Sequence, residues 1–147
     1  MRVPNVELRV VGGCNLTAYI EKWKHVEGVH YMGFVDDLRK EYSECRVVVP
    51  IYEGAGTNIK ILEAMKMRRP YVTTQCGFRG FSRAFSPGKE LCVSENDSDF
   101  ATKIVEVLLN LEKNHRISEE AFSSVKKQFS HSVFNSIVEN SLINCLK

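Results

Sequence analysis

The sequence predicts an α/β fold in which a parallel β-sheet carries helices on both faces. Apolar, β-branched runs of strand length alternate with segments whose apolar residues recur at helical spacing, which is typical of such a sheet. The run at 46–52, RVVVPIY, is apolar almost throughout, as expected for a strand buried on both faces. The predicted architecture is therefore a Rossmann-like single domain over residues 1–147, ending in a helical tail.

Each element follows from a local pattern. β-branched runs predict strands at 6–13, 29–35, 46–52, 70–74 and 90–95, at least five in all. Apolar residues at helical spacing predict helices at 15–26, 36–45, 59–69 and 96–114. The tail from Ser118 to Lys147 predicts one or two more helices, with a break near 129–132.

The composition excludes several classes of protein. A net charge of +2, from 20 basic and 18 acidic residues, is too balanced for a nucleic-acid binder that works by phosphate neutralisation. We see no apolar run of about 18 residues and no signal-peptide pattern. The cysteines are odd in number and none stands in a Cys-x-x-Cys spacing, so we expect a reduced, cytoplasmic chain. Neither the five cysteines nor the four histidines have metal-ligand spacing, so we expect no metal.

The stretch EGAGTNIKILEAM, at 53–65, is the sharpest local motif. Thr57 or Asn58 is placed to cap the helix that follows, and the first turn is expected to carry Lys60 and no acid. Neither residue has the Glu or Gln three positions on that completes a capping box, so backbone N–H groups are expected to stay free. Because a helix N-terminus is electropositive, this start after two glycines suits a phosphate, with Lys60 adding a charge. An ordinary glycine-rich turn with Lys60 in solvent is the alternative.

Glu63 follows in the same helix, among apolar neighbours. If it is buried, its carboxylate needs a partner, and a ribose or sugar diol would supply two hydrogen bonds. The alternative is an exposed carboxylate paired with Lys60 or Lys66.

Three glycine-bearing loops follow predicted strands: Gly12–Gly13, Gly33–Phe34–Val35 and Gly54–Ala55–Gly56. In parallel α/β sheets, ligands bind beyond the carboxyl ends of the strands, and glycine permits close backbone approach. We therefore expect Gly12, Gly33 and Gly56 to lie together at one edge of the sheet.

The connection at 75–89 is long for a compact fold and mixes phenylalanines with Arg79 and Arg83. Interleaved aromatic and basic residues can bind nucleic acid, but with so small a net charge we expect no nucleic-acid partner. A loop that borders a pocket or a partner domain is the favoured interpretation.

Residues 33–74 contain Gly-Phe-Val, Pro, Gly-Ala-Gly-Thr, Leu-Glu-Ala-Met and a further Pro, in that order. This combination resembles the C-terminal, nucleotide-sugar-binding domain of retaining glycosyltransferases with the GT-B fold, the glycosyl transferases group 1 family. The resemblance extends over about residues 6–146. It implies two facing Rossmann-like domains in the whole enzyme, with the acceptor on the N-terminal domain and the donor mainly on the C-terminal one.

The resemblance also implies roles for particular residues. The backbone of Gly33, Phe34 and Val35 would meet the nucleobase, and Glu63 would hold the ribose hydroxyls. Gly12 and Gly13 would lie near the donor phosphate or sugar, while Lys60 is a weak candidate for phosphate stabilisation. Backbone amides would meet the diphosphate and donor sugar along the loop that contains Gly54, Gly56, Thr57, Asn58 and Ile59. No catalytic residue is assigned, and neither a metal nor a cofactor is implied beyond the nucleotide-sugar donor.

Two departures from the family pattern stand out. Many members carry a second glutamate where this chain has Ala55, and Glu53 lies two residues too early to replace it. The strand and helix that bring an Arg and a Lys to the diphosphate have no counterpart before residue 6, and the acceptor domain has none either. We therefore expect a fragment of a longer enzyme or a truncated reading frame.

Three functions remain open from the sequence. The first is the donor-binding part of a transferase acting on a sugar or lipid-linked acceptor, with room for peripheral membrane contact in the full enzyme. The second is a nucleotide-sugar-binding or interaction module without turnover of its own. The third is another GT-B enzyme, such as a sugar-nucleotide epimerase, over which the Leu-Glu-Ala-Met segment favours the first.

Overall fold

The structure is a computed structural model that describes residues 3–13, 17–50 and 57–145. The chain divides into two compact units, Met1–Glu41 and Tyr42–Lys147.

The first unit contains a parallel pair of strands. Strand β1 (Leu8–Val11) is followed by helix α1 (Thr17–Trp23) and strand β2 (Val29–Gly33). Leu8 lies opposite Val29 and Val11 opposite Gly33, with a register shift between Val10 and Val11. Helix α2 (Leu38–Glu44) begins in this unit and ends in the second.

The second unit is a short parallel sheet wrapped by helices. Strands β3 (Val72–Thr74) and β4 (Cys92–Ser94) pair in parallel, with Val72 opposite Cys92. The helices of this unit are α3 (Lys60–Lys66), α4 (Gln75–Phe78), α5 (Asp97–Leu109), α6 (Leu111–Gln128) and α7 (His131–Cys145), with a 3-10 turn at Arg79–Phe81.

Alternation along the strands gives this sheet two buried faces, because successive side chains of a strand point to opposite sides. Tyr71, Leu91 and Val93 face one core cluster, which also contains Ile61 and Met65 of α3. The other face carries Val72 and Cys92, which pack with Val107 of α5 and Ile117 of α6. Helices on both faces of a parallel sheet, as predicted, are therefore present in this unit.

Residues 46–50, the described part of the predicted strand at 46–52, form an isolated parallel bridge between Val48 and Tyr71. The N–H of Val48 donates to Pro70 O at 3.0 Å, and Val48 O accepts from the N–H of Val72 at 3.1 Å. Two residues on, Pro50 has no N–H with which to continue the ladder. The part of the chain that the structure describes thus has four strands and this bridge, and residues 51 and 52 of the predicted strand lie outside it.

The predicted helix at 96–114 is divided in two. Asn110 has φ −98° and ψ 94°, outside the helical region, and its side chain accepts a hydrogen bond from the N–H of Lys113. That cap ends α5 at Leu109 and starts α6 at Leu111. The predicted break near 129–132 is confirmed, because α6 ends at Gln128 and α7 begins at His131.

The connection at 75–89 is not the open loop that the sequence suggested. It contains α4 and the 3-10 turn, and Phe78, Phe81 and Phe85 are buried in the core. Arg79 and Arg83 are exposed. The aromatic side chains therefore serve the core of the second unit and offer no stacking surface.

Candidate functional site

The candidate site of the second unit lies at the start of α3. The helix begins at Lys60, its N-cap is Ile59, and no side chain caps it. The prediction that Thr57 or Asn58 is the cap is therefore wrong. The expectation of an acid-free first turn is also wrong, because a helix that begins at Lys60 has Glu63 in its first turn.

Asn58 does not cap the helix, and its side chain contacts a core residue instead. Its amide nitrogen donates to the hydroxyl of Tyr71 at 3.0 Å. Tyr71 is completely buried, and burial raises its pKa to about 12. The turn before α3 is thus tied to the core through a neutral hydroxyl group.

The carboxylate of Glu63 is held by a second tyrosine. The hydroxyl of Tyr42, near the end of α2, lies 3.3 Å from Glu63 Oε2 and donates to it. Burial and the neighbouring charge of Glu63 raise the pKa of Tyr42 above its usual range, so the hydroxyl keeps its proton. Glu63 itself is exposed and has no ion pair with Lys60 or Lys66 within the described residues.

Lys60 is exposed at the first position of α3 and makes no ion pair with any described residue. It lies three residues before Glu63, so the two side chains share one face of the helix. A positive and a negative group therefore stand side by side on the exposed surface of α3.

The backbone amides of the turn are partly in use. The N–H of Ile59 donates to Thr57 O at 2.9 Å, and that of Ile61 donates to Asn58 O at 3.0 Å. The Ile59 amide, which the family resemblance offers to a diphosphate, is therefore occupied within the turn in this structure.

Thr57 is exposed and lies close to the 3-10 turn of the 75–89 segment. A Cβ atom at Gly80 would lie 3.1 Å from Thr57 Oγ1 and 3.2 Å from its Cγ2, closer than ordinary contacts. Only glycine fits there without a shift, so this segment borders the candidate site through Gly80.

In the first unit, two of the predicted glycine loops are adjacent. The N–H of Gly12 donates to Gly33 O at 2.8 Å. Gly12 has φ +145° and Gly33 has φ +62°, values that favour glycine, and a Cβ at Gly12, Gly13 or Gly33 would meet open space. Phe34 is 84% exposed. The donor-binding roles of these residues and of Val35 stay predictions.

Gly54 and Gly56 lie outside the described residues, as does Ala55, so the structure does not place the third loop. Tyr42 and Tyr71 were missed in the sequence. Nothing in the local sequence pattern marks either residue beyond its aromatic character.

Across residues 3–13, 17–50 and 57–145 there is no group of three His, Cys, Asp or Glu side chains that could hold a metal ion. No helix in the same ranges is long and apolar enough to cross a membrane. Metal independence stays a prediction.

Comparison with known proteins places the chain in a family. A model described as "Glycosyl transferases group 1" matches residues 1–110. The "Uncharacterized 44.6 kDa protein in cps region" of Klebsiella pneumoniae is 29% identical over 104 residues, 69% of this chain and 26% of that protein.

Solved structures show the same fold. HepE of Anabaena, in complex with UDP, matches with a TM-score of 0.81 and 18% identity over 97% of this chain and 42% of its own. Sucrose-phosphate synthase of Thermosynechococcus elongatus matches with a TM-score of 0.74 and 18% identity, over 95% of this chain and 38% of its own.

The chain spans about a quarter of the Klebsiella relative and about two fifths of HepE. The structural matches share its parallel strands and helices, which are those of a GT-B glycosyltransferase domain. Because the family model matches residues 1–110, the chain belongs to the glycosyl transferases group 1 family.

Proposed function

We propose that the chain binds the nucleotide-diphosphate-sugar donor of a retaining glycosyltransferase that acts on a glycan, lipid or similar acceptor. The observation that supports this most is the family match over residues 1–110. HepE, whose fold the chain shares, has been solved with UDP and with UDP-glucose. A nucleotide sugar is therefore the first ligand to test.

In this proposal, Lys60 and Glu63 bind different parts of the donor. Side chains three residues apart on a helix have Cβ atoms about 5–6 Å apart. One nucleotide can therefore place its diphosphate against the ammonium group while its ribose diol meets the carboxylate. Both side chains are exposed, and neither is neutralised by an ion pair with a described residue.

Further contacts come from the loops. Backbone amides at Gly54, Gly56, Thr57 and Asn58 would serve the diphosphate and sugar, together with Lys60 and without a metal. In the first unit, Gly12 and Gly13 would approach the phosphate or sugar. The backbone at 33–35 would meet the nucleobase, with the exposed Phe34 beside it.

Transfer itself needs the donor and acceptor in near-attack geometry, an effect of about 7–11 kcal/mol on the barrier. We propose that the acceptor binds to an N-terminal domain of a longer enzyme. A protein of the length of HepE, of which this chain spans 42%, could contain such a domain. We therefore expect no transferase turnover from the 147-residue chain alone. The location we propose for the enzyme is cytoplasmic, with the inner membrane face as a site of peripheral contact.

The second candidate is a nucleotide-sugar-binding module without turnover of its own. Calorimetry with UDP, ADP, GDP and their glucose conjugates tests what the two proposals share. Saturable binding of at least one nucleotide supports both, and failure of all of them overturns both. Transfer by a longer protein that joins this chain to the proposed N-terminal acceptor domain separates the two, and retention of the donor's anomeric configuration, read by NMR, tests the stereochemical class.

A further inference from the structure

We infer that Tyr42 is a positioning residue for the nucleotide site: its hydroxyl fixes the carboxylate of Glu63 in the orientation that receives the ribose diol. This inference rests on the proposed function and adds a residue that lies on another helix.

The two oxygens of the Glu63 carboxylate have different surroundings. Glu63 Oε2 accepts the hydrogen bond from Tyr42 at 3.3 Å, and Oε1 has no partner among the described residues. An exposed glutamate otherwise samples several rotamers, each equally open to water. A hydrogen bond to one oxygen restricts the side chain and leaves the other oxygen facing outward as an acceptor.

Tyr42 is suited to this role because it is anchored at one end. Its ring packs against the core cluster that contains Ile61 and Met65, the apolar side of α3. The hydroxyl is therefore presented from a fixed base to Glu63, on the exposed side of the same helix. Burial and the adjacent carboxylate also hold its proton in place, so the hydroxyl stays a donor throughout the physiological range of pH.

The contact is a long-range one. Tyr42 and Glu63 are 21 residues apart, and the hydrogen bond joins the end of α2 to the first turn of α3. A merely structural tyrosine would support α3 equally for every ligand. A positioning tyrosine acts only on ligands that use the carboxylate.

The test uses Tyr42→Phe, which removes the hydroxyl and keeps the ring. Affinities of the full chain for UDP, 2′,3′-dideoxy-UDP and inorganic pyrophosphate are measured by calorimetry. We expect UDP to bind roughly 2- to 13-fold more weakly, the range for the net contribution of one typical hydrogen bond. The dideoxy nucleotide and pyrophosphate should bind as they do to the parent chain.

A double-mutant cycle with Glu63→Ala provides the matched control. If Tyr42 acts through Glu63, adding Tyr42→Phe to Glu63→Ala should change UDP affinity no further. Equal weakening of UDP and the dideoxy nucleotide by Tyr42→Phe would overturn the inference, as would an undiminished effect in the Glu63→Ala background.

The outcomes also separate the inference from the proposed function. If Glu63→Ala selectively weakens ribose-bearing ligands while Tyr42→Phe changes nothing, only the inference fails. If none of the three ligands binds to the parent chain, the donor site itself fails and the inference with it. Should Tyr42→Phe unfold the chain, Tyr42→Leu replaces it, because it also removes the hydroxyl and keeps an apolar side chain against the core cluster. The same loss of discrimination between UDP and its dideoxy form is expected, and unchanged discrimination would overturn the inference.

Discussion

Asn58 and Tyr71 are joined by a side-chain hydrogen bond of 3.0 Å between the amide nitrogen and the hydroxyl oxygen. Tyr71 is wholly buried beside β3, while Asn58 lies in the turn that opens α3. The bond therefore ties a candidate ligand-binding turn to the buried core of the second unit.

The burial of Tyr71 predicts a pH dependence of folding. Its pKa is raised to about 12 in the folded chain, against about 10 in an unfolded one. Between those pH values the folded state retains a proton that the unfolded state releases. Stability is therefore full below about pH 10 and falls as pH rises through about 12, by at most ~1.4 kcal/mol per pH unit from this group.

Urea unfolding at a series of alkaline pH values measures this slope. Tyr71→Phe should flatten it, because the variant has no phenol to titrate, while some slope remains from Tyr42, whose pKa is raised in the same direction. An equal slope in the parent and in Tyr71→Phe would contradict the prediction.

Glu63→Gln tests the ribose contact, because it keeps the shape of the side chain and removes its charge. A charge-assisted hydrogen bond contributes about 1.5–3 kcal/mol, so nucleoside diphosphate affinity should fall roughly 10- to 150-fold. Inorganic pyrophosphate, which has no ribose, should bind as before. Calorimetry measures both ligands, and an equal loss for the two would place Glu63 away from the ribose.

Lys60→Met tests the phosphate contact. It should weaken both the nucleoside diphosphate and pyrophosphate, and the loss should shrink at high salt because salt screens exposed charges. Lys66→Met is the matched control: Lys66 is exposed at the other end of α3 and has no assigned role. Equal effects of the two substitutions would mean that Lys60 acts only through general electrostatic attraction and makes no specific phosphate contact.

Gly33→Ala should destabilise the first unit. Gly33 has φ +62°, and left-handed backbone costs a residue with a side chain about 1–2 kcal/mol. Gly13→Ala is the control, since a Cβ there also meets open space but its φ lies outside that region. Hydrogen exchange of the β1 and β2 amides should speed up in the first variant alone. Identical exchange in both variants would argue against the strained turn.

Phe85→Ala should destabilise the second unit by about 3–5 kcal/mol, as expected for an aromatic side chain lost from a core. Its ring lies 5.7 Å from that of Phe81 and 5.6 Å from that of Phe129, centroid to centroid. Phe34→Ala, at an 84% exposed position, should leave stability within about 0.5 kcal/mol of the parent. Urea unfolding compares the two, and similar losses would place Phe85 outside the core.

The sequence predicted the parallel pairing because it depends on local patterns. The β-branched run before Gly12 and the buried run at 90–95 are strands in the structure, and both strand pairs are parallel. The helix predicted at 96–114 is two helices in the structure, because Asn110 ends α5 without interrupting the apolar spacing on which the prediction depends. The helical spacing of Phe78, Phe81 and Phe85 was a signal for the core that the neighbouring arginines obscured.

The side-chain contacts of the candidate site are of a different kind. Tyr42 reaches Glu63 across 21 residues, and Asn58 reaches Tyr71 across 13. Neither contact follows from a regular spacing of residues in the sequence, because each depends on how two elements of the fold pack together. Patterns within a segment could thus indicate Lys60 and Glu63, whereas only the packing of the folded chain reveals the groups that hold the turn and the carboxylate.

Helix α6 has a consequence for where this protein can be divided. The family match ends at residue 110, one position before α6 begins at Leu111. Yet Ala121 and Val125 of α6 complete the cluster beneath α3, and Ile117 completes the cluster on the opposite face of the sheet. A truncation after residue 110 would keep every motif residue but would remove the α6 side chains that pack beneath α3. The apolar surface thus exposed to water would favour aggregation.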